Sequence, residues 1–304
     1  MLPSPTDRAT NPWLRRLFWL NLAVEVLIVV TGGLVRLTGS GLGCPTWPRC
    51  TDASLTPDRH DALGIHTYIE FGNRTLTSLV GGVAIALLVA TWRWAPHRKG
   101  LRLPIALVLL GVGIQAIVGG ITVHMDLNPA IVAAHLLASM LLVMASAWLV
   151  WREREGDGQA VPVVRREVRL VSYVVGALAA VILVLGTLVT GSGPHSGDAD
   201  QPARLDIDSR TISWLHADTV MLFVGLVVAV LIAVRLTSED QVARRAWAVV
   251  LGVTLAQGLV GYTQYFTGLP WVIVLVHMLG ASLLVIATTW GILSLRHRPA
   301  AQSG

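Results

Sequence analysis

Eight long apolar stretches dominate this 304-residue chain. They run roughly over 14–35, 70–92, 103–123, 130–150, 168–190, 214–234, 246–266 and 271–295. Each is long enough to cross a bilayer as a helix, which takes about 20 residues. Barrel strands alternate polar and apolar positions, and these stretches do not. The expected fold is therefore an all-α membrane protein with eight transmembrane helices. Charged residues make up only 13% of the chain against 54% hydrophobic ones. That excludes an ordinary cytosolic globule, a disordered chain and a nucleic-acid binder, so no nucleic acid is expected as a partner. Two cysteines exclude a disulfide-rich scaffold, a four-cysteine zinc site and an iron–sulfur cluster held by cysteines alone.

The positive charge is a matter of topology. Seventeen of the 23 Lys and Arg residues fall at one set of helix ends. The remainder, Arg36, Arg49, Arg59, Arg74, Arg204 and Arg210, fall at the other. The side rich in Lys and Arg is cytoplasmic in such proteins, which predicts both termini inside and a multi-pass cell-membrane protein. Segments 36–69 and 191–213 are then the long outer loops, and the connections at 124–129 and 267–270 are tight. The N-terminal stretch lacks a cleavable-signal pattern and reads as a retained cytoplasmic tail. Tryptophans such as Trp13, Trp92, Trp148 and Trp290 cluster near span ends as interfacial anchors.

The chain also repeats itself. Residues 115–142 align without gaps on 257–284, an offset of 142, which matches Gln115 with Gln257, Gly119 with Gly261 and His135 with His277. The first span of each half ends in the same run, Thr38-Gly-Ser-Gly and Thr190-Gly-Ser-Gly. The expected organisation is two four-helix halves, residues 1–155 and 156–304, joined by a charged linker near 152–168. Parallel repeats also occur in transporters, but those place broken helices near mid-membrane, whereas the polar residues here sit toward the outer third.

Imidazoles inside membrane helices are costly and usually functional. His135 lies 17 residues from Arg152, His216 lies 19 from Arg235, and His277 lies 19 from Arg296. At 1.5 Å per residue all three sit about 26–29 Å above the cytoplasmic boundary. One layer on alternate helices suits a haem held edge-on between imidazoles. Zinc needs its ligands gathered at one point. For any one histidine, a hydrogen bond to a neighbouring helix is the blander alternative. The second span carries no histidine in this layer. Asn73, 20 residues from Arg93, takes the equivalent position, and His66 lies seven residues earlier, roughly 10 Å farther out. Pairing His66 with His216 instead fits the loop lengths better but fails on depth. Glu70, one turn outward of Asn73, is a candidate catalytic or proton-handling carboxylate, with an ion pair to Arg74 as the alternative. Arg36, Arg74 and Arg210 are candidates to meet haem propionates. His60, His124 and His195 are outer-side residues that fit a haem edge, while His97 and His297 fall in basic cytoplasmic segments. The outer-loop position of Cys44 and Cys50 favours a disulfide over two free thiols.

The run from Gly32 to Pro45 (GGLVRLTGSGLGCP), followed by Trp47-Pro48 and Cys50, resembles the first outer loop of haem A synthases. Glu70-Phe-Gly-Asn73-Arg74, Asn128-Pro129 before His135, and Gly191-Ser-Gly-Pro194-His195 fit the same family, and the likeness runs along nearly the whole chain. It implies oxidation of the haem O C8 methyl to the formyl group of haem A for terminal oxidases. It also implies an axial His216–His277 pair on a haem b cofactor, haem O as substrate near His135, and an essential Glu70. Implied partners are a haem O-producing farnesyltransferase and an electron acceptor or donor. The family typically has a histidine where this chain has Asn73, a departure shared by actinobacterial members. Either His135 alone then ligates the substrate iron, with His66 and Asn73 beside Glu70, or His66 reaches in from above; the depth of His66 favours the first. The competing expectation is a bis-histidine membrane cytochrome that only exchanges electrons with quinone, which leaves Glu70 without a task.

Overall fold

A computed structural model describes residues 11–57, 64–195, 197–198 and 203–299. Eight long helices account for most of it: α1 Pro12–Leu37, α2 Ile65–Trp94, α3 Lys99–His124, α4 Pro129–Arg154, α5 Arg166–Ser192, α6 Ser209–Thr237, α7 Gln241–Phe266 and α8 Trp271–Leu293. All eight are long and apolar enough to span a membrane. Every expected span is a helix, and most run a few residues past the sequence-based bounds. Backbone amides in hydrocarbon must be satisfied within the segment, which is why such runs become helices. The outward faces stay apolar. On α3, Leu103, Leu107, Leu110, Ile114, Ile117 and Ile121 are all exposed at helical spacing. A continuous exposed stripe of that kind is a lipid-facing surface. The protein is a multi-pass, all-α membrane protein.

The helix starts are written in the sequence. Asn11 caps α1 by accepting the Trp13 N–H at 3.0 Å, with Pro12 in the first turn. Asn128 caps α4 by accepting the Ala130 N–H at 3.0 Å, followed by Pro129. Proline costs nothing there, because the first-turn N–H groups have no helical partner. Asp208 caps α6 at its exposed end, where the Thr211 hydroxyl and backbone N–H hold its carboxyl below the usual carboxylate range. The two tight connections close alike. Leu127 N–H bonds the Thr122 carbonyl at 2.9 Å, and Leu269 N–H bonds the Gln264 carbonyl at 2.8 Å. Both leucines have positive φ, 56° and 62°, an uncommon conformation for a residue with a branched side chain. The helix-end hydrogen bond offsets that strain.

Two large apolar clusters, with a smaller one of Val24, Val80, Val83 and Val112, hold the bundle. One joins Leu14, Phe18 and Leu22 of α1 to Leu87, Leu101, Ile105, Met140, Val143 and Ala147, and reaches Ile286 of α8. The other joins Val175 and Ile182 to Phe223, Val227, Trp247, Val250 and Ala287. Helices α4 and α8 meet between them, where Ser282 Oγ lies 3.9 Å from Met140 Sδ and Trp290 Nε1 donates to the Ala147 carbonyl at 2.8 Å. At one end of the helices, the segment after α4 forms a short strand β1 (Val161–Pro162). It pairs antiparallel with β2 (Arg296–His297) beyond α8, a pairing that composition does not signal. Arg98 binds the carbonyls of Arg152 and Glu155 at 2.7 and 3.0 Å, and Asp157 at 2.9 Å. The loops that carry the candidate site lie at the opposite end.

Candidate active site at the loop end of the bundle

The chain leaving α1 turns back on itself through Gly39, whose φ is 67°. Gly41 N–H then bonds the Gly197 carbonyl at 2.9 Å, and Ser40 bridges to Asp198. Arg36 completes this join by donating to the carbonyls of His195 at 2.8 Å and Thr190 at 2.9 Å. Its guanidinium thus ties the loop regions after α1 and α5 together. His195 Nε2 contacts the Leu269 carbonyl at 3.0 Å, which extends the join to the α7–α8 turn.

Cys44 and Cys50 form a disulfide, as their loop position led one to expect. The small ring they close is seated on α2 by Glu70 and Arg74. Glu70 Oε2 accepts the Cys44 N–H at 2.7 Å. Glu70 Oε1 takes Arg74 Nε at 2.9 Å and also Arg74 Nη2. The same guanidinium donates to the carbonyls of Cys44 at 2.7 Å and Thr46 at 2.6 Å, and to that of Arg49 at 3.1 Å. Of the two readings of Glu70, the ion pair to Arg74 is present, and the pair positions the disulfide loop. Gly43 lies so close to the start of α2 that a Cβ there would stand 2.5 Å from the His66 carbonyl oxygen. Trp47, at the tip of the ring, packs against Gly120 of α3.

His135, His216 and His277 project from α4, α6 and α8. The Nδ1 atom of each is buried without a hydrogen-bond partner, though the Ile182 carbonyl lies beside His216. His216 and His277 are electrostatic neighbours. Each ring rests on a glycine of the preceding helix. A Cβ at Gly119 would come within 3.6 Å of His135 Cε1. At Gly186 it would come within 3.4 Å of His216 Cε1, and at Gly261 within 3.2 Å of His277 Cε1. Behind two of the rings the backbone is pinned identically. Gln115 Nε2 donates to the His135 carbonyl and Gln257 Nε2 to the His277 carbonyl, both at 2.8 Å. Buried polar atoms are nearly always paired, and leaving one unpaired costs about 1–3 kcal/mol. Three imidazoles with an orphaned nitrogen, each packed against a glycine of the preceding helix, fit groups that ligate a haem iron. Among the described residues, no three His, Cys, Asp or Glu gather around one point, so these rings do not form a single clustered metal site.

Asn73 faces α1, where Thr31 Oγ1 donates to its Oδ1 at 2.7 Å. His66 is held one turn outward of Glu70 by Ser40, with Oγ 2.8 Å from its Nδ1. Arg210 and His124 are exposed, as are His97 and His297 at the far end. His60 lies outside the described residues. The sequence reading missed Thr38, Ser40 and Thr31. It also missed a buried polar group between α1 and α4, in which Asn21 Nδ2 donates to Ser146 Oγ at 2.9 Å beside buried Glu25. A glutamate in the middle of an apolar span was the available signal for the last. The glycine partners of the histidines were partly visible, since Gly119 and Gly261 already matched in the internal alignment.

Proteins named heme A synthase from Bacillus mycoides (strain KBAB4), Bacillus cereus (strain 03BB102) and Bacillus anthracis (strain CDC 684 / NRRL 3495) are each 24% identical over 282 residues. The aligned region covers 88% of this chain and 89% of each relative. Residues 15–196, which include the disulfide loop, Glu70 and His135, match the COX15-CtaA family, described as cytochrome oxidase assembly protein. The chain belongs to the COX15-CtaA family of cytochrome oxidase assembly proteins.

Proposed function

We propose that this protein is a haem A synthase, which oxidises the C8 methyl of haem O to a formyl group. Its relatives carry that name over nearly their whole length, and none of those cited is named as an electron carrier. The observation that carries the reading is the set of three imidazoles on α4, α6 and α8 whose Nδ1 atoms are buried without a hydrogen-bond partner, each ring packed on a glycine of the preceding helix. In this reading His216 and His277 hold a haem b in the half formed by residues 156–304. His135 holds the iron of the substrate haem O in the half formed by residues 1–155.

Protein side chains have no redox centre for removing electrons from a methyl group, so a bound haem b would supply electron transfer. The chain's own residues bind, orient and manage protons. Gln115 and Gln257 fix the backbone beneath His135 and His277. Glu70 and Arg74 hold the disulfide loop over the end of α2, beside the substrate half. Asn73, already engaged by Thr31, is a poor iron ligand compared with imidazole, so one face of the substrate haem is weakly held. That suits a site that must admit haem O and release haem A. The loop end faces outward from the cell membrane and both termini face the cytoplasm. A haem O-producing farnesyltransferase upstream and a separate electron acceptor or donor complete the system.

Acid-pyridine haem analysis of the purified protein tests the reading. Haem b together with haem O, haem A or an intermediate is the expected content. Haem b alone would instead identify an electron-transfer cytochrome.

A further inference from the structure

One face of α2 carries His66, Glu70 and Asn73 at i, i+4 and i+7, all directed toward the substrate half in the reading above. Two of the three are already occupied. Both oxygens of Glu70 are taken by Arg74 and the Cys44 N–H, and Asn73 Oδ1 is taken by Thr31. Both carboxylate oxygens are thus committed to holding Arg74 and the disulfide loop.

His66 differs because a hydrogen-bond chain fixes where its proton sits. The Thr38 hydroxyl donates to the Leu34 carbonyl at 2.8 Å, which uses its one hydrogen. The 2.7 Å contact between Thr38 Oγ1 and Ser40 Oγ then needs its hydrogen from Ser40. Ser40 has no second hydrogen, so the 2.8 Å contact to His66 Nδ1 must be filled by an N–H on the imidazole. Ser40 is fully buried, at 0% exposure, so water does not compete for these bonds. The neutral ring is therefore the Nδ1–H tautomer, with a bare lone pair on Nε2.

We propose that His66 is the proton acceptor of this site, with Thr38 and Ser40 as positioning residues that keep its Nε2 unprotonated. The inference rests on the haem A synthase reading. The step is a proton transfer from the O–H of a water or of a hydroxyl on the partly oxidised substrate. The O–H bond breaks, its electron pair stays on oxygen, and an N–H bond forms at Nε2. Glu70 then orders the loop, and His66 handles the proton. The same tautomer would also suit an iron ligand, but His66 lies two turns outward of Asn73, roughly 10 Å along the helix.

The test uses the full-length protein in lipid nanodiscs. Solid-state NMR on protein with ¹⁵N-labelled histidine reads the tautomer, and the His66 signal is identified by its loss in His66→Gln. The wild type should show a protonated Nδ1 and a bare Nε2. Thr38→Val removes the end of the chain at nearly constant volume. Ser40 is then free to donate to Nδ1, so the proton should move to Nε2, while Thr38→Ser should restore the wild-type pattern. Haem A formation should fall by roughly 10²-fold in His66→Gln, the usual range for losing a general base. It should fall in Thr38→Val and recover in Thr38→Ser, with the spectra of haem b and bound substrate haem unchanged. A protonated Nε2 in the wild type would overturn the proposal, as would His66→Gln working at the wild-type rate. A change in substrate-haem coordination in His66→Gln would make His66 a ligand instead of a base. Wild-type protein that makes no haem A from haem O would overturn the parent reading and, with it, the catalytic role; the tautomer measurement does not depend on turnover.

Discussion

Gly43→Ala probes whether the seating of the disulfide loop matters to the site. The added Cβ would stand 2.5 Å from the His66 carbonyl oxygen, 2.7 Å from its carbonyl carbon and 2.9 Å from Thr67 Cα. All three are backbone atoms of the first turn of α2, so no side chain can swing aside. Relief to an ordinary contact of about 3.4 Å requires a shift of about 0.9 Å. Moving the adjacent Cys44 by that amount would stretch its 2.7 Å bond to Glu70 Oε2 to about 3.6 Å, beyond hydrogen-bond range. A hydrogen bond to a charged group contributes about 1.5–3 kcal/mol, and the contacts from Arg74 to the Cys44 and Thr46 carbonyls would loosen with it. The variant should therefore be less stable in detergent by roughly that amount. Its Cys44–Cys50 bond should be reduced faster by a membrane-impermeant thiol, and its haem A yield should drop. Gly81→Ala on the same helix is the control, since nothing lies within 4 Å of a Cβ there. A Gly43→Ala protein with unchanged melting, unchanged disulfide protection and a normal yield would refute the account of the loop.

Three further outcomes follow from the site. His216→Ala and His277→Ala should each abolish the low-spin haem b spectrum, and retention of that spectrum in both variants would remove the assignment. His135→Ala should lose the substrate haem while keeping haem b, which optical spectra of protein loaded with haem O will show; loss of both haems together would contradict separate sites. Glu70→Gln keeps the shape of the side chain but removes the charge that binds Arg74. It should fold, hold haem b and accumulate haem O or a hydroxylated intermediate, and a normal haem A yield in that variant would count directly against an essential Glu70.

The eight helices were legible because burial in lipid leaves a chain few choices: an apolar run of that length must satisfy its own backbone. Helix starts at Asn11-Pro12 and Asn128-Pro129 were equally open to reading, since capping is local chemistry. The disulfide followed from the loop position of Cys44 and Cys50. What stayed hidden depends on where a side chain points once helices pack. Arg36 was legible only as a candidate propionate partner; that its guanidinium binds two backbone carbonyls near the end of α5, more than 150 positions away, was not visible. Glu70 and Arg74 were visible as an i, i+4 pair, but nothing local shows that the pair also grips Cys44 and Thr46. Thr38 and Ser40 were visible only as part of the repeated Thr-Gly-Ser-Gly run. Their meaning depends on the loop folding over His66, 26 residues beyond Ser40.

The correspondences between the segments 115–142 and 257–284, and the departures on the helices ahead of them, bear on how such a site is built. The glutamine-to-carbonyl bond, the glycine beneath the histidine and the strained turn before α4 and α8 occur at matching positions in both. Each of these sets helix packing or ring position, and each serves equally well whatever reaction is run. The departures concentrate on α2 and α6. Where α6 carries His216, α2 carries Asn73, which is bonded to Thr31. Taking Asn73 and His216 as equivalent sets Glu70 and Arg74 against Ser213 and Ala217, which cannot form an ion pair. Both cysteines lie in the loop ahead of α2. A pair of imidazoles holds a permanent cofactor tightly, and tight holding is a fault in a site that must exchange its haem. Replacing one imidazole with an amide weakens that grip, and a clamped loop with a poised histidine takes its place at the same helix end. On this physical ground the half with fewer proposed iron ligands and more loop architecture is the one expected to turn over substrate.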